Sequence, residues 1–162
     1  MINIKPLKAY TDNYIWLLET NEEVSIVDPG DAKPVLDYLS KTNKNIRDIF
    51  ITHHHFDHTA GVPELENIIS GSIYGPKNSY ELIKEKVTQG DTLSSLGIKF
   101  EIIEVPGHTL DHIAFYNEEN DILFCGDTLF AGGCGRVFEG TFDQMFDCLL
   151  YTSDAADDGH SV

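Results

Sequence analysis

Apolar residues in the first part of the chain come in short runs broken by polar turns. Tyr14-Ile15-Trp16-Leu17-Leu18 and Val24-Ser25-Ile26-Val27 are rich in β-formers and separated by Asn21-Glu22-Glu23, which predicts a hairpin closing on Asp28-Pro29-Gly30. Pro34 suits a first helical turn, and Val35, Leu36 and Leu39 follow at helical spacing, so a helix is expected over Lys33–Lys41. A strand over Asp48–Thr52 follows. Pro63 then opens a helix with Leu65, Ile68 and Ile69 on one side, Ser72–Tyr74 reads as a short strand, and Asn78–Lys86 reads as a helix. Further strands are expected over Ile98–Val105, His112–Tyr116 and Asp121–Cys125, each ending in a turn rich in Gly, Asp or Asn. Alternating helices and strands predict an α/β sandwich.

The strand expected at Asp48–Thr52 runs into His53-His54-His55-Phe56-Asp57-His58, four imidazoles and a carboxylate in six consecutive positions. At a strand's end, residues two apart point the same way, so His53 and His55 can close on one cation while Asp57 and His58 aim at a second. Neutral imidazole and carboxylate suit a divalent ion such as zinc, with iron or manganese tolerated by the same donors. Two later strands end in Pro106-Gly107-His108-Thr109 and Gly126-Asp127-Thr128. Taken singly, His108 and Asp127 are ordinary turn residues. Taken with the first loop, they supply the third neutral ligand and the anion that two dications require, and the two oxygens of Asp127 suit it to bridge. His54 alternates away from its neighbours and His112 begins a strand, so both are expected to support the site without ligating.

Composition narrows the partners. The 162 residues amount to one domain, and 27 acidic against 11 basic residues give a net charge of −16, which argues against nucleic acid or an anionic membrane surface as partner. Cys125, Cys134 and Cys148 form no C-x-x-C pair, so neither a disulfide framework nor a cysteine zinc site is indicated. The N-terminus lacks the long apolar core of a signal peptide, and no apolar run approaches the ~20 residues of a membrane span. A cytoplasmic protein is the expectation.

The strings T-H-H-H-F-D-H (52–58), P-G-H-T (106–109) and G-D-T-L-F (126–130) together resemble the metallo-β-lactamase superfamily. The run from Gly126 to Thr141, with Asp12-Asn13-Tyr14-Ile15-Trp16 and Val27-Asp28-Pro29-Gly30, is similar to its glyoxalase II branch, and the resemblance extends from about residue 2 to 147. It implies an αβ/βα sandwich with metals at the strand ends, and hydrolysis of the small-molecule thioester S-D-lactoylglutathione to D-lactate and glutathione, the second step of methylglyoxal detoxification. By the family pattern His53, His55 and His108 hold one metal, Asp57 and His58 the other, and Asp127 bridges. Asp57 and Asp127 are then the catalytic carboxylates, with two zinc, iron or manganese ions acidifying a water that attacks the thioester. Arg136 and Phe138 resemble positions that contact glutathione. The parent protein is expected to be monomeric.

The family also takes a second-metal histidine from a later strand, and basic contacts from a helical domain beyond it. Neither is found here, since His160 sits in Asp157-Asp158-Gly159-His160 with no strand before it. The string from Cys148 to Asp158 resembles the translation of a transposase-based sequencing adapter. Residues 1–147 are therefore expected to be a truncated catalytic domain, incomplete in its C-terminal half, and 148–162 a non-native tail. Read as native, the same segment would continue an apolar-spaced helix over Phe142–Leu150. The competing functional readings are another hydrolase of the superfamily, a sulfur dioxygenase, and a metal-binding fragment without activity.

Overall fold

The computed structural model describes residues 2–78 and 80–157, with side chains placed through residue 150. Twelve strands and four α-helices are recognised among them. Strands β1 (Asn3–Ala9), β2 (Asn13–Glu19) and β3 (Glu23–Val27) form an antiparallel meander, and β3 continues in parallel to β4 (Asn45–Phe50), β5 (Ile73–Pro76) and β6 (Glu85–Val87). The second sheet is antiparallel in the order β10-β9-β8-β7, from β7 (Thr92–Ser95), β8 (Ile98–Glu104), β9 (Ile113–Asn117) and β10 (Ile122–Phe124). A two-stranded ribbon pairs β11 (Leu129–Phe130) with β12 (Gly133–Cys134).

Side-chain alternation along these strands feeds three apolar layers. On one face of the first sheet, Ile15, Leu17, Val24, Ile26 and Ile49 pack against α1 (Ala32–Thr42) and α3 (Val62–Leu65) through Val35, Tyr38, Val62 and Leu65. Its other face meets the second sheet, where the Phe50 ring stacks on Phe115 at 5.0 Å and meets the Phe100 edge at 5.6 Å. Beyond the second sheet, Ile103, Val105 and Ala114 pack with Cys148 of α4 (Phe142–Asp157). The resulting order is helix, sheet, sheet, helix, the expected αβ/βα sandwich. Among the described residues no helix is long and apolar enough to cross a membrane.

The hairpin, the first helix and the later strands lie where the patterning predicts them. Asp31 caps α1 by accepting from the Lys33 N–H, and left-handed Asn43 ends it. Strand β4 ends at Phe50 rather than Thr52, so the histidine run leaves the sheet two residues early, and the Pro63 helix narrows to a turn that leaves Ile68 half exposed. Among the described residues of Asn78–Lys86 the expected helix is absent. Asn78 Oδ1 accepts the Tyr80 N–H at 2.8 Å, Lys84 N–H bonds the Ile73 carbonyl at 3.0 Å, and the chain enters β6. The open edge of β5 and the gap above Gly75, filled by buried Ile83, outweigh a moderate helical preference. Strands β1 and β7 escape the patterning because Lys5-Pro6 and Lys8 interrupt the first, and Leu93 is the single apolar residue of the second. Helix α4 crosses residue 148 without a break, and His160 lies outside the described residues.

Candidate metal centre

The ends of β3, β4, β8 and β10 open on the same edge of the sandwich, and each releases a loop that carries part of one polar cluster. Beyond β4, His53 is buried and His55 half-buried, and the short helix α2 (Phe56–Thr59) follows with Asp57 and buried His58. The loop after β8 contributes buried His108, and the turn after β10 contributes half-buried Asp127. The ring centroid of His53 lies 4.7 Å from His55, 4.3 Å from His58 and 5.0 Å from His108. Sequence positions 53, 55, 58, 108 and 127 thus converge.

Three groups of donor atoms result, each with its atoms within 4.8 Å of one another: His53, His55 and His108; His53, His58 and Asp127; and, further out, His54, His55 and Glu139. Asp127 joins the first two. Its Oδ2 lies 3.3 Å from His108 Nε2 and its Oδ1 3.2 Å from His58 Nε2. Asp57 stands at the margin, with Oδ2 3.6 Å from His58 Nε2 and accepting from Asn13 Nδ2 at 2.8 Å. The donor chemistry fits divalent cations. His108 donates from Nδ1 to the Arg136 carbonyl at 2.7 Å, which leaves Nε2 to face His55 Nδ1 at 3.0 Å. The Nε2 atoms of His53 and His58 are buried without a well-directed hydrogen bond, which is costly unless something binds them.

The electrostatics agree. Burial opposes a proton on His58, but Asp28 and Asp127 overcome it and push the ring's pKa up to about 10, the field that would also hold a cation. Burial also opposes the charged form of Asp127, and His58 outweighs it to hold the carboxyl below its ordinary range. Burial and the surrounding imidazoles keep His53 neutral, and burial lowers His112 to about 4.

His54 and His112 flank the two sets that Asp127 joins. Exposed His54 is 2.9 Å from Asp111 through Nδ1 and 3.2 Å from Glu139 through Nε2, so it ties the first loop to two others. His112 stacks on His53 at 4.5 Å, and its Nε2 accepts the Asp127 N–H at 3.1 Å. Phe138 lies at the rim, 5.7 Å from the His55 ring and 5.3 Å from His108, with the Arg136 guanidinium 5.2 Å from its own ring. Gly135 allows this loop to close, because a Cβ there would lie 1.9 Å from the Asp127 carbonyl oxygen. Sequence reasoning missed Asn13, Asp28 and Thr52 as site residues, although Asp12–Trp16 and Val27–Gly30 were already conspicuous as motifs.

The chain matches the model of the metallo-β-lactamase superfamily over residues 11–159. It is 47% identical over 152 residues to a hydroxyacylglutathione hydrolase of Idiomarina loihiensis, covering 92% of this chain and 59% of that protein. Similar enzymes of Pseudoalteromonas translucida and Chromohalobacter salexigens are 50% and 48% identical, over 90% and 98% of this chain and 58% and 64% of theirs. The chain therefore spans about 60% of the length of the curated relatives it matches. Among solved structures, BLEG-1 B3 metallo-β-lactamase superposes with a TM-score of 0.82 at 20% identity, over 91% of this chain and 84% of that one, a likeness of fold alone. ETHE1 from Myxococcus xanthus gives 0.76 at 26% identity, over 93% and 68%. TTHA1623, solved in a di-iron-bound form, gives 0.74 at 25% identity, over 91% and 84%.

Proposed function

We propose, because this chain belongs to the metallo-β-lactamase superfamily, that its strand-end cluster holds a pair of divalent cations in a hydrolase acting on a glutathione thioester. In this reading His53, His55 and His108 hold one ion, Asp57 and His58 the other, and Asp127 bridges. The supporting observation is the division of Asp127, whose two oxygens face His108 Nε2 and His58 Nε2 separately. Zinc is the favoured metal, with iron and manganese compatible with the same donors. The substrate is a hydroxyacylglutathione, as the relatives' names suggest, and by the glyoxalase II resemblance it is S-D-lactoylglutathione, with D-lactate and glutathione as products.

When bound, such ions acidify water and draw electron density from a carbonyl oxygen. The chain's own residues do the rest. Asp57, held through Oδ2 by Asn13, keeps its other oxygen to orient a water or take its proton. His112 steadies the Asp127 backbone, and His54 fastens the His55 loop to Glu139 and Asp111. Exposed Arg136 offers a positive charge to the carboxylates of glutathione, and the Phe138 ring beside His55 gives the thioester chain an apolar wall. The leaving group is a thiolate, which departs without a strong acid.

Among the described residues the second cation draws on Asp57, His58 and the bridge alone. A cavity of about 990 Å³ opens beside them, between Trp16 of β2 and Ile122–Phe124 of β10, the edge strand of its sheet. This chain is accordingly proposed to bind its second cation weakly and to turn over slowly. Thiol release from S-D-lactoylglutathione, measured with added zinc on this chain and on a version extended to the relatives' length, tests the reading. Release from the extended form supports it; release from neither overturns it, and oxygen uptake in place of thiol release points to a dioxygenase. That residues 148–162 are foreign to the domain is a separate proposal, decided by reading the encoding DNA.

A further inference from the structure

Asp28 ends β3 with a φ of 51°, a left-handed conformation that costs any residue but glycine some strain, aspartate and asparagine least. Its carboxylate is buried and fully engaged. Oδ1 accepts the Thr52 N–H at 2.8 Å, and Oδ2 accepts the Thr52 hydroxyl at 2.7 Å and faces His58 Nδ1 at 2.9 Å. An ionised carboxylate only accepts, so His58 must donate from Nδ1. A threonine hydroxyl has one proton. With that proton given to Asp28, Thr52 Oγ1 can only accept from His53 Nδ1, 3.0 Å away. Both rings therefore carry hydrogen on Nδ1, and this turns towards the site the same two Nε2 atoms that lie buried without a well-directed partner. Gly126 seals the arrangement: its φ is 49°, and a Cβ there would lie 2.4 Å from Thr52 Oγ1.

We propose that Asp28 and Thr52 form a positioning relay, in which one buried carboxylate holds His58 directly and His53 through the Thr52 hydroxyl, so that both imidazoles offer Nε2 to a cation. The relay serves two donors of the segment that follows β4 from a single residue after β3 that never reaches the cation itself. It rests on the divalent-cation reading above, and its test separates the two.

Asparagine at position 28 keeps the shape and tolerates the left-handed backbone. Its one carbonyl oxygen is claimed by the Thr52 N–H, which can only donate. The amide NH2 is then turned to Thr52 Oγ1 and His58 Nδ1, and both must accept. The hydroxyl proton swings to His53 Nδ1. One substitution thus moves hydrogen to Nε2 on both rings.

The experiment is nitrogen-15 NMR of the histidine rings, on the metal-free chain for His53 and on the zinc-loaded chain for His58, with zinc affinity measured by calorimetry. Asp28→Asn, Thr52→Val and Thr52→Ser are compared with the parent. The expected result is Nδ1–H on His53 and on zinc-loaded His58 in the parent and Nε2–H on His53 in Asp28→Asn. Zinc affinity should fall by about 10- to 100-fold in Asp28→Asn and Thr52→Val and return in Thr52→Ser. Nε2–H on His53 in the parent overturns the relay, as does Asp28→Asn binding zinc like the parent, or losing thermal stability without a change of tautomer. A parent chain that binds no zinc overturns the cation reading instead, while the metal-free His53 spectrum still decides the relay.

Discussion

Asp127 concentrates the charge balance of the site in one side chain, since it is the carboxylate whose two oxygens face histidines of both sets it joins. Asp127→Asn keeps its shape and removes its charge. Zinc bound per chain should drop, and thiol release should fall by about a hundredfold or more, read by metal analysis and thiol assay. Away from the site, Glu19 is a largely buried carboxylate whose titration is linked to stability. Burial opposes its ionisation, but hydrogen bonds from Lys44 at 2.9 Å and Asn3 at 2.8 Å outweigh it, and its pKa lies below the ordinary value. Tyr38 donates to the same carboxylate. The stability it contributes is present above the ordinary glutamate range and is lost as pH falls through the depressed value. Glu19→Gln should cost about 2 kcal/mol at neutral pH and flatten the acid limb of the stability profile, as urea titrations across pH would show. Legibility at this scale followed residue type: imidazoles and carboxylates in a run announce themselves, whereas Asp28 and Thr52 look like turn and strand residues until their partners are known.

Elements divide by whether their cause is local. Helix α1 carries its own signals: Asp31 at the N-cap, Pro34 in the first turn, and Asn43 at a φ of 55° after the last. Asp31→Ala should destabilise by about 1 kcal/mol, visible as a lower thermal midpoint with an unchanged fold by circular dichroism. The segment 80–87 has no such autonomy. Its residues carry a helical spacing, yet the chain follows β5 because Ile83 fills the space over Gly75 and the β5 edge supplies the hydrogen bonds. Strand β1 shows the converse, a weak pattern broken by Pro6 that forms because β2 presents an edge on which a proline is tolerated.

For the whole molecule, burial and net charge set different behaviours. Phe50 lies between the sheets against Tyr74, Phe100 and Phe115, and Phe50→Ala should cost about 3–5 kcal/mol, read as a lower denaturation midpoint at unchanged slope. The charge of −16 opposes the approach of the proposed anionic thioester at long range, so kcat/KM should rise severalfold as salt shortens the Debye length from about 30 Å at 0.01 M to about 8 Å at 0.15 M. A rate that falls with salt would instead give the leading role to local attraction by Arg136.

The sequence by itself determined which chemistry is available and which strands deliver it, because donor types, apolar periodicity and turn residues are local properties of the chain. It also implied that His108 and Asp127 belong with His53–His58, since a site of two dications lacks a ligand and an anion without them. Only the tertiary structure decided that Asp127 divides its oxygens between His108 and His58, that residues 80–87 leave the helix for an open strand edge, and that Asp28 and Thr52 stand behind both buried histidines. Those outcomes depend on which groups meet across the sandwich, where the direction of each hydrogen bond is set by a neighbour distant in sequence.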